Sequence, residues 1–190
     1  MSPTLRTIIL SIGAAVAVIA IVIFATIACG LYDVGADQPD NPLLARLIAF
    51  ARERAISVRE GEAANAALGD PKRIADGASD YDEMCTGCHL APGMKDNEMR
   101  PGLNPKPPAL ALAPARNPAE AFWIVKHGIR MTGMPAWGVT HSDEEIWNIV
   151  AFLQVLPRLS PAEYRIQVSK AAGHHEHEMG TPHGGMDMGH

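Results

Sequence analysis

Signs of nucleic-acid binding are missing from this 190-residue sequence. Sixteen lysine and arginine residues face twenty-one acidic ones, the net charge is −5, and no basic stripe occurs. We therefore expect no nucleic-acid partner. Aromatic residues are also scarce, at 5% of the chain. A domain with so few large rings needs other material to fill its core.

Charged residues are missing from positions 7–32, and residues 7–29 are almost wholly apolar. This run is long enough to cross a bilayer as a helix. It is longer than the apolar region of about 7–15 residues in a cleaved secretory signal. We therefore predict a transmembrane signal-anchor at 7–29 after a cytoplasmic N-terminus at 1–6. Residues 25–29 also resemble a bacterial lipobox, in which Cys29 would carry the lipid; both interpretations tether the chain to the same side.

Charges flanking the apolar run indicate its orientation. Arg6 precedes it, and Asp33, Asp37 and Asp40 follow it. By the positive-inside rule, the N-terminus stays in the cytoplasm and everything after residue 33 lies outside.

Residues 30–72 are predicted to be a linker that contains one amphipathic helix at 42–59. Asn41 is a suitable N-cap and Pro42 a suitable first helical residue. Apolar side chains then recur at helical spacing. Three roles remain open for this helix: packing on the following domain, lying in the lipid interface, or docking onto a membrane partner.

Cys85, Cys88 and His89 form a C-x-x-C-H motif, the attachment signature of c-type haem. Each thiol can add to one vinyl group, and the histidine becomes an axial ligand of the iron. A thioredoxin-like dithiol requires a βαβ pattern, whereas these flanks look helical. A zinc site requires a further ligand pair, and Cys29 is the only other cysteine. We therefore predict one covalent haem, which supplies much of the core, and no disulfide framework.

Met134 is the candidate for the second axial ligand. It lies in a Gly-Met-Pro-Ala-Trp segment between two predicted helices. A thioether favours ferrous iron and raises the reduction potential, and Pro135 fixes the neighbouring backbone. The remaining possibilities are an open site or one of three other side chains: Met131, His127 and His141.

Three helices are predicted between residues 73 and 158, at 74–84, 118–127 and 143–156. Asn117 caps the second helix, which ends at Gly128. Ser142 and Glu145 form a capping box at the start of the third helix.

The segment 73–158 resembles a class I cytochrome c. The matching positions are Gly77 and Tyr81, the C-x-x-C-H motif, Pro108-Ala109-Leu110, Met134-Pro135, and Phe152. The resemblance implies that the first and last helices cross, with Gly77 against Phe152. Leu90 departs from the pattern, because the family often has glycine after the motif histidine.

The resemblance also implies roles around the haem. The carbonyl of Pro108 would accept a hydrogen bond from His89, which orients the ring. Met134 would be the sixth ligand. The side chains expected to pack around the haem are Tyr81, Leu110, Pro135 and Trp137.

The predicted fold class is all-α: one transmembrane helix and a small class I cytochrome c domain around covalent haem. The expected function is single-electron transfer in the periplasm of a bacterium, from an anchor in the inner membrane, and not enzymatic catalysis. Expected donors are a quinol-oxidising complex or a dehydrogenase, and expected acceptors a terminal oxidase or reductase. The alternatives are a cytochrome subunit of a larger oxidoreductase, a copper-handling role, and a haem enzyme with an open site.

Residues 159–190 are predicted to be a C-terminal extension. Its last part, 174–190, is rich in histidine, methionine and glycine, which favours disorder. Imidazole and thioether groups suit copper. The candidate copper ligands are His174, His175, His177, His183, Met186, Met188 and His190.

Overall fold

The computed structural model describes residues 2–38, 40–59, 61 and 67–178, with side chains described as far as residue 170. Every regular element in these residues is helical, so the all-α prediction is confirmed. The helices are α1 (Pro3–Ala28), α2 (Pro42–Ser57), α3 (Pro71–Met84), α4 (Thr86–His89), α5 (Pro118–His127), α6 (Asp143–Val155) and α7 (Pro161–Glu178). Four short 3₁₀ turns lie between them: Arg100–Gly102, Leu110–Leu112, Trp137–Val139 and Leu156–Arg158. The chain divides into two compact units, residues 1–39 and 40–190.

The first unit consists mainly of α1. This helix has 26 residues, and its most apolar window has a mean hydropathy of 3.0. At a rise of about 1.5 Å per residue it is about 39 Å long, enough to cross a bilayer. It starts at Pro3, four residues before the predicted span, because Ser2 caps it and Pro3 is its first residue. Cys29 is exposed just beyond its last residue.

In the second unit, α3 packs against α6. The helix α3 begins at Pro71, three residues before the predicted start, because the Asp70 side chain accepts a hydrogen bond from the Lys72 amide. The predicted capping box of Ser142 and Glu145 is present at the start of α6.

The helices α3 and α6 cross at Gly77, as the resemblance implies. The nearest neighbour of Gly77 in α6 is not the implied Phe152. The atoms of α6 closest to a Cβ built on Gly77 belong to the backbone of Asn148 and Ile149. Phe152 instead packs its ring against Tyr81, with 5.4 Å between centroids.

The helix α7 belongs to the same compact unit, although the predicted domain ends at residue 158. Tyr164 of α7 is buried with Tyr81 and Phe152. Its hydroxyl donates to the Asp82 carboxylate at 2.6 Å. The helix continues to Glu178, so its backbone includes the first residues of the segment expected to be disordered.

The helix α2 is also part of the second unit, and it packs on the rest of that unit. Asn41 and Pro42 begin it as predicted, and it ends at Ser57, two residues early. Ile56 is its one buried residue. Glu53 accepts two hydrogen bonds from Arg116, at 3.0 and 3.2 Å. These contacts confine the C-terminal half of α2 to the domain surface.

Candidate haem-binding site

The C-x-x-C-H motif begins at Cys85, between α3 and α4, and its Cys88 and His89 lie in α4. The amides of Cys88 and His89 both donate to the Cys85 carbonyl, at 3.1 and 2.7 Å. Both thiols line one cavity. Burial raises the pKa of the Cys85 thiol to about 12. A redox dithiol requires a lowered pKa, so the environment disfavours a thioredoxin-like role.

His89 is oriented by a backbone carbonyl. Its Nδ1 lies 2.9 Å from the oxygen of Pro108, the contact that the resemblance implies. Burial lowers the pKa of His89, which favours the neutral ring. The carbonyl can only accept, so we assign the proton to Nδ1. Nε2 is then left with a free lone pair, as an iron ligand requires.

Leu90 follows the histidine with a left-handed backbone, φ 63°. This conformation explains why glycine is common there, since a side chain makes it costly. Leu90 is buried, and its carbonyl accepts from the Tyr81 hydroxyl at 2.7 Å. Burial of the side chain and this bond together offset the strain.

Residues 90–108 form a segment with five prolines, and two residues that no sequence pattern identified hold it against the motif. Asn97 donates to the Gly87 carbonyl at 2.7 Å and accepts from the amide of Arg100. Arg100 donates to the Pro107 carbonyl at 2.9 Å, next to the carbonyl that contacts His89. Asparagine is a frequent turn residue, but its partner here is set by tertiary structure.

Met134 lines the same cavity and packs with the buried residues Val125, Ile146 and Ile149. A tight turn presents it: the Ile129 amide donates to the Met134 carbonyl at 3.3 Å. The Thr132 hydroxyl accepts from the Met134 amide at 3.1 Å. This turn holds the thioether at the cavity wall.

The three competing ligands lie elsewhere. Met131 is 92% exposed. His127 is exposed and packs against Trp123 in a tilted ring contact, with 5.0 Å between centroids. His141 pairs with the Thr140 hydroxyl at 2.8 Å. None of the three lines the cavity. Among the candidates, the structure therefore favours Met134.

Gly128 allows the methionine segment to approach α5. Its φ is 63°, and a Cβ there would lie 2.6 Å from the carbonyl carbon and oxygen of Pro135 and 2.7 Å from the Met134 oxygen. The helix stop expected from the sequence therefore has a second role, because only glycine leaves room for this backbone contact.

The cavity has a volume of about 480 Å³, within the usual range for cofactor sites. Two thiols, a neutral imidazole and a thioether converge on it. The residues expected to pack around the haem all line it: Tyr81, Pro108, Leu110, Pro135 and Trp137. This donor set and apolar wall fit a covalently bound haem.

Residues 72–153 match the family model described as "Cytochrome C oxidase, cbb3-type, subunit III". They form a cytochrome c domain. The match spans somewhat less than half of the chain and includes the attachment motif and Met134. It confirms the resemblance to a class I cytochrome c and implies haem c. No curated protein and no solved structure matches the chain.

The helix α2 precedes the matched residues, yet it contributes to the haem cavity of the cytochrome c domain. Arg52, Glu53 and Ile56 line the cavity, and Ile56 is only 2% exposed. The hydrogen bonds from Arg116 lower the pKa of Glu53. The spacing of apolar residues predicted the helix α2, but this spacing alone could not show that α2 would line the cavity.

The proposed copper ligands lie mostly beyond the described residues. His174, His175 and His177 fall in α7, where their side chains are not described. His183, Met186, Met188 and His190 lie outside the described part of the chain. Copper binding stays a prediction. In the part of the chain that the structure describes, no three His, Cys, Asp or Glu side chains form a metal cluster.

Proposed function

We propose that this chain is a membrane-tethered carrier that transfers single electrons through one haem c. The proposal is carried by the convergence of Cys85, Cys88, His89 and Met134 on one cavity. When bound, haem c supplies a one-electron iron couple. The protein's part is to attach the group, fill its axial positions and shield it.

Cys85 and Cys88 are the proposed attachment points. Each thiol would hold the haem through one thioether bond, formed by addition of its S–H across a vinyl group, with the proton taken up by the other vinyl carbon. The addition needs no oxidant. The motif turn supports this role because it places both thiols at the same cavity.

His89 and Met134 are the proposed axial ligands. The contact between Pro108 and His89 directs Nε2 to the metal, and the thioether favours the ferrous state. With both positions filled, no substrate can bind to the iron. This arrangement supports an electron carrier over a haem enzyme.

The proposed location is the bacterial inner membrane, with the haem domain in the periplasm. α1 is apolar and long enough to span, and Arg6 lies near its N-terminal end while Asp33 and Asp37 follow it. A tether raises the effective concentration near membrane partners. Those partners are proposed to be a quinol-oxidising complex or dehydrogenase as donor, and a terminal oxidase or reductase as acceptor.

A second candidate is a cytochrome subunit within a larger oxidoreductase. The observation that favours it is the family description, which names a subunit of an oxidase. Purification in mild detergent distinguishes the two candidates. A stoichiometric complex that survives dilution indicates a subunit, whereas a free protein with weak, salt-sensitive encounters indicates a carrier.

The function is tested on the full-length holoprotein in detergent. We expect a low-spin ferric spectrum, a one-electron potentiometric titration, and no carbon monoxide binding by the ferrous protein. A high-spin spectrum with rapid carbon monoxide binding would instead assign the site to a haem enzyme. His89→Ala should fail to accumulate as holoprotein, while His127→Ala, which changes an exposed histidine outside the cavity, should accumulate normally.

A further inference from the structure

The helix α2 turns Ala45, Ala49 and Ile56 towards the cytochrome c domain and leaves its other large apolar residues exposed. Ala45 and Ala49 are half-buried and Ile56 is buried. At about 100° per residue, these three lie on one face with Arg52 and Glu53, which reach the cavity. The face that packs on the cytochrome c domain therefore carries small residues in the N-terminal half of α2 and one large apolar residue, Ile56, in the C-terminal half.

The solvent-exposed side of α2 carries large apolar side chains. Its members are Leu43, Leu44, Leu47, Ile48 and Phe50, with exposures between 42% and 76%. An ordinary surface helix turns such residues inward. A contiguous exposed patch of this kind marks an interaction site. We call these five residues the outer face of α2.

The exposed charges of α2 and of its C-terminal end are positive, whereas Asp40 is exposed just before the N-cap Asn41. Arg46, Arg54 and Arg59 are exposed on or near α2. The only acidic residue of the helix, Glu53, lies on the packed side and is bonded to Arg116. A helix with apolar residues flanked by arginines has the composition of an interfacial helix that binds anionic lipid.

The chain also limits where α2 can be. Only residues 29–41 connect it to the end of α1. Fully extended, they reach about 45 Å. If α1 spans a membrane, α2 cannot leave the neighbourhood of that surface.

We propose that the outer face of α2 is seated in the interfacial region of an anionic phospholipid bilayer. The helix then has two partners: lipid on its outer face and the cytochrome c domain on its packed side. The proposal rests on α1 as a membrane span, and it does not depend on which residues ligate the iron. Of the three roles that the sequence left open for this helix, the proposal combines packing on the following domain with lying in the lipid interface.

The test uses the full-length holoprotein in vesicles of phosphatidylcholine and phosphatidylglycerol. With Cys29→Ser as background, a spin label is attached through Leu47→Cys or Phe50→Cys. Ala162→Cys places the control label on an exposed site of α7. At 47 and 50 we expect fewer collisions with a water-soluble nickel complex and more with oxygen than at 162.

Three outcomes would contradict the proposal in whole or in part. Labels at 47 and 50 that collide with nickel as often as the label at 162 would overturn the proposal. Protection that occurs only in native membranes, and not in pure lipid, would overturn it in favour of a protein partner. Equal protection in vesicles of phosphatidylcholine alone would overturn the selection of anionic lipid. An unchanged visible spectrum in each variant separates these outcomes from a failure of the haem site.

Discussion

Gly77 of α3 lies directly against the backbone of Asn148 in α6. No side chain fits between the two helices at this point: a Cβ would also lie 2.8 Å from the Ile149 amide nitrogen. Since the obstacle is backbone, it cannot move aside as a flexible side chain can. The two helices that frame the site are therefore held together at the closest approach that their backbones allow.

Gly77→Ala should destabilise the holoprotein by about 3 kcal/mol, the upper end of the cost of overpacking. Denaturant unfolding followed by circular dichroism measures the free energy of unfolding. The control is Gly102→Ala, because no atom lies within 4 Å of a Cβ at Gly102. Equal stability of the two variants would show that the helices separate more easily than the contact implies.

Met134→Ala should lower the reduction potential by roughly 0.1 V or more, because axial ligands tune haem potentials over about 0.8 V. The variant should also bind carbon monoxide. Met131→Ala is the matched control, since Met131 is exposed in the same loop. If Met131→Ala has the larger effect, the ligand assignment is wrong.

Gly128→Ala should weaken the sixth ligand without removing it. The added methyl group meets the Pro135 carbonyl, and φ 63° disfavours alanine. We expect a high-spin fraction in the ferric spectrum. Gly133→Ala changes the same loop but meets only the Leu103 side chain, at 3.1 Å, and should keep the parent spectrum.

Asp80→Asn should stabilise the protein at neutral pH but not in acid. Burial raises the pKa of Asp80 from 3.8 to about 6. The folded state therefore favours the protonated carboxyl of Asp80. The contribution of this group to the free energy of unfolding is fully present below about pH 4 and is lost as the pH rises through about 6. The shift is worth at most about 3 kcal/mol, and partial exposure reduces the expected gain at pH 8 to about 1 kcal/mol.

Urea unfolding at pH 4 and pH 8 measures this effect. Glu98→Gln removes an exposed charge that does not act on Asp80 and is the control. A gain for Asp80→Asn that is equal at both pH values would show that the carboxyl ionises normally in the folded protein.

Local signals predicted much of this structure. The pair Asn117-Pro118 and the capping box of Ser142 and Glu145 mark helix starts because they satisfy the amides of the first turn. Asp70-Pro71 is the same kind of signal, and overlooking it placed the start of α3 too late. The attachment motif and Met134 could be proposed from the sequence because haem chemistry constrains residue type and spacing.

What the sequence could not show depends on contacts between distant segments. In the sequence, nothing near Tyr164 indicates a partner. In the structure, α7 packs so that the Tyr164 hydroxyl donates to Asp82. Asn97 looks like a turn residue until its amide reaches Gly87. In both cases the partner is defined by packing, so no local pattern contains it.

The buried position of Ile56 has a consequence for the redox properties. It belongs to α2, outside the segment that matches the cytochrome family, yet it lines the haem cavity. Polarity and water content around a haem iron set its reduction potential. In this chain both would therefore depend on a helix outside the segment that matches the cytochrome family. If two chains had identical residues from 72 to 153 but different α2 segments, we would expect their reduction potentials to differ. They would then exchange electrons with different redox partners.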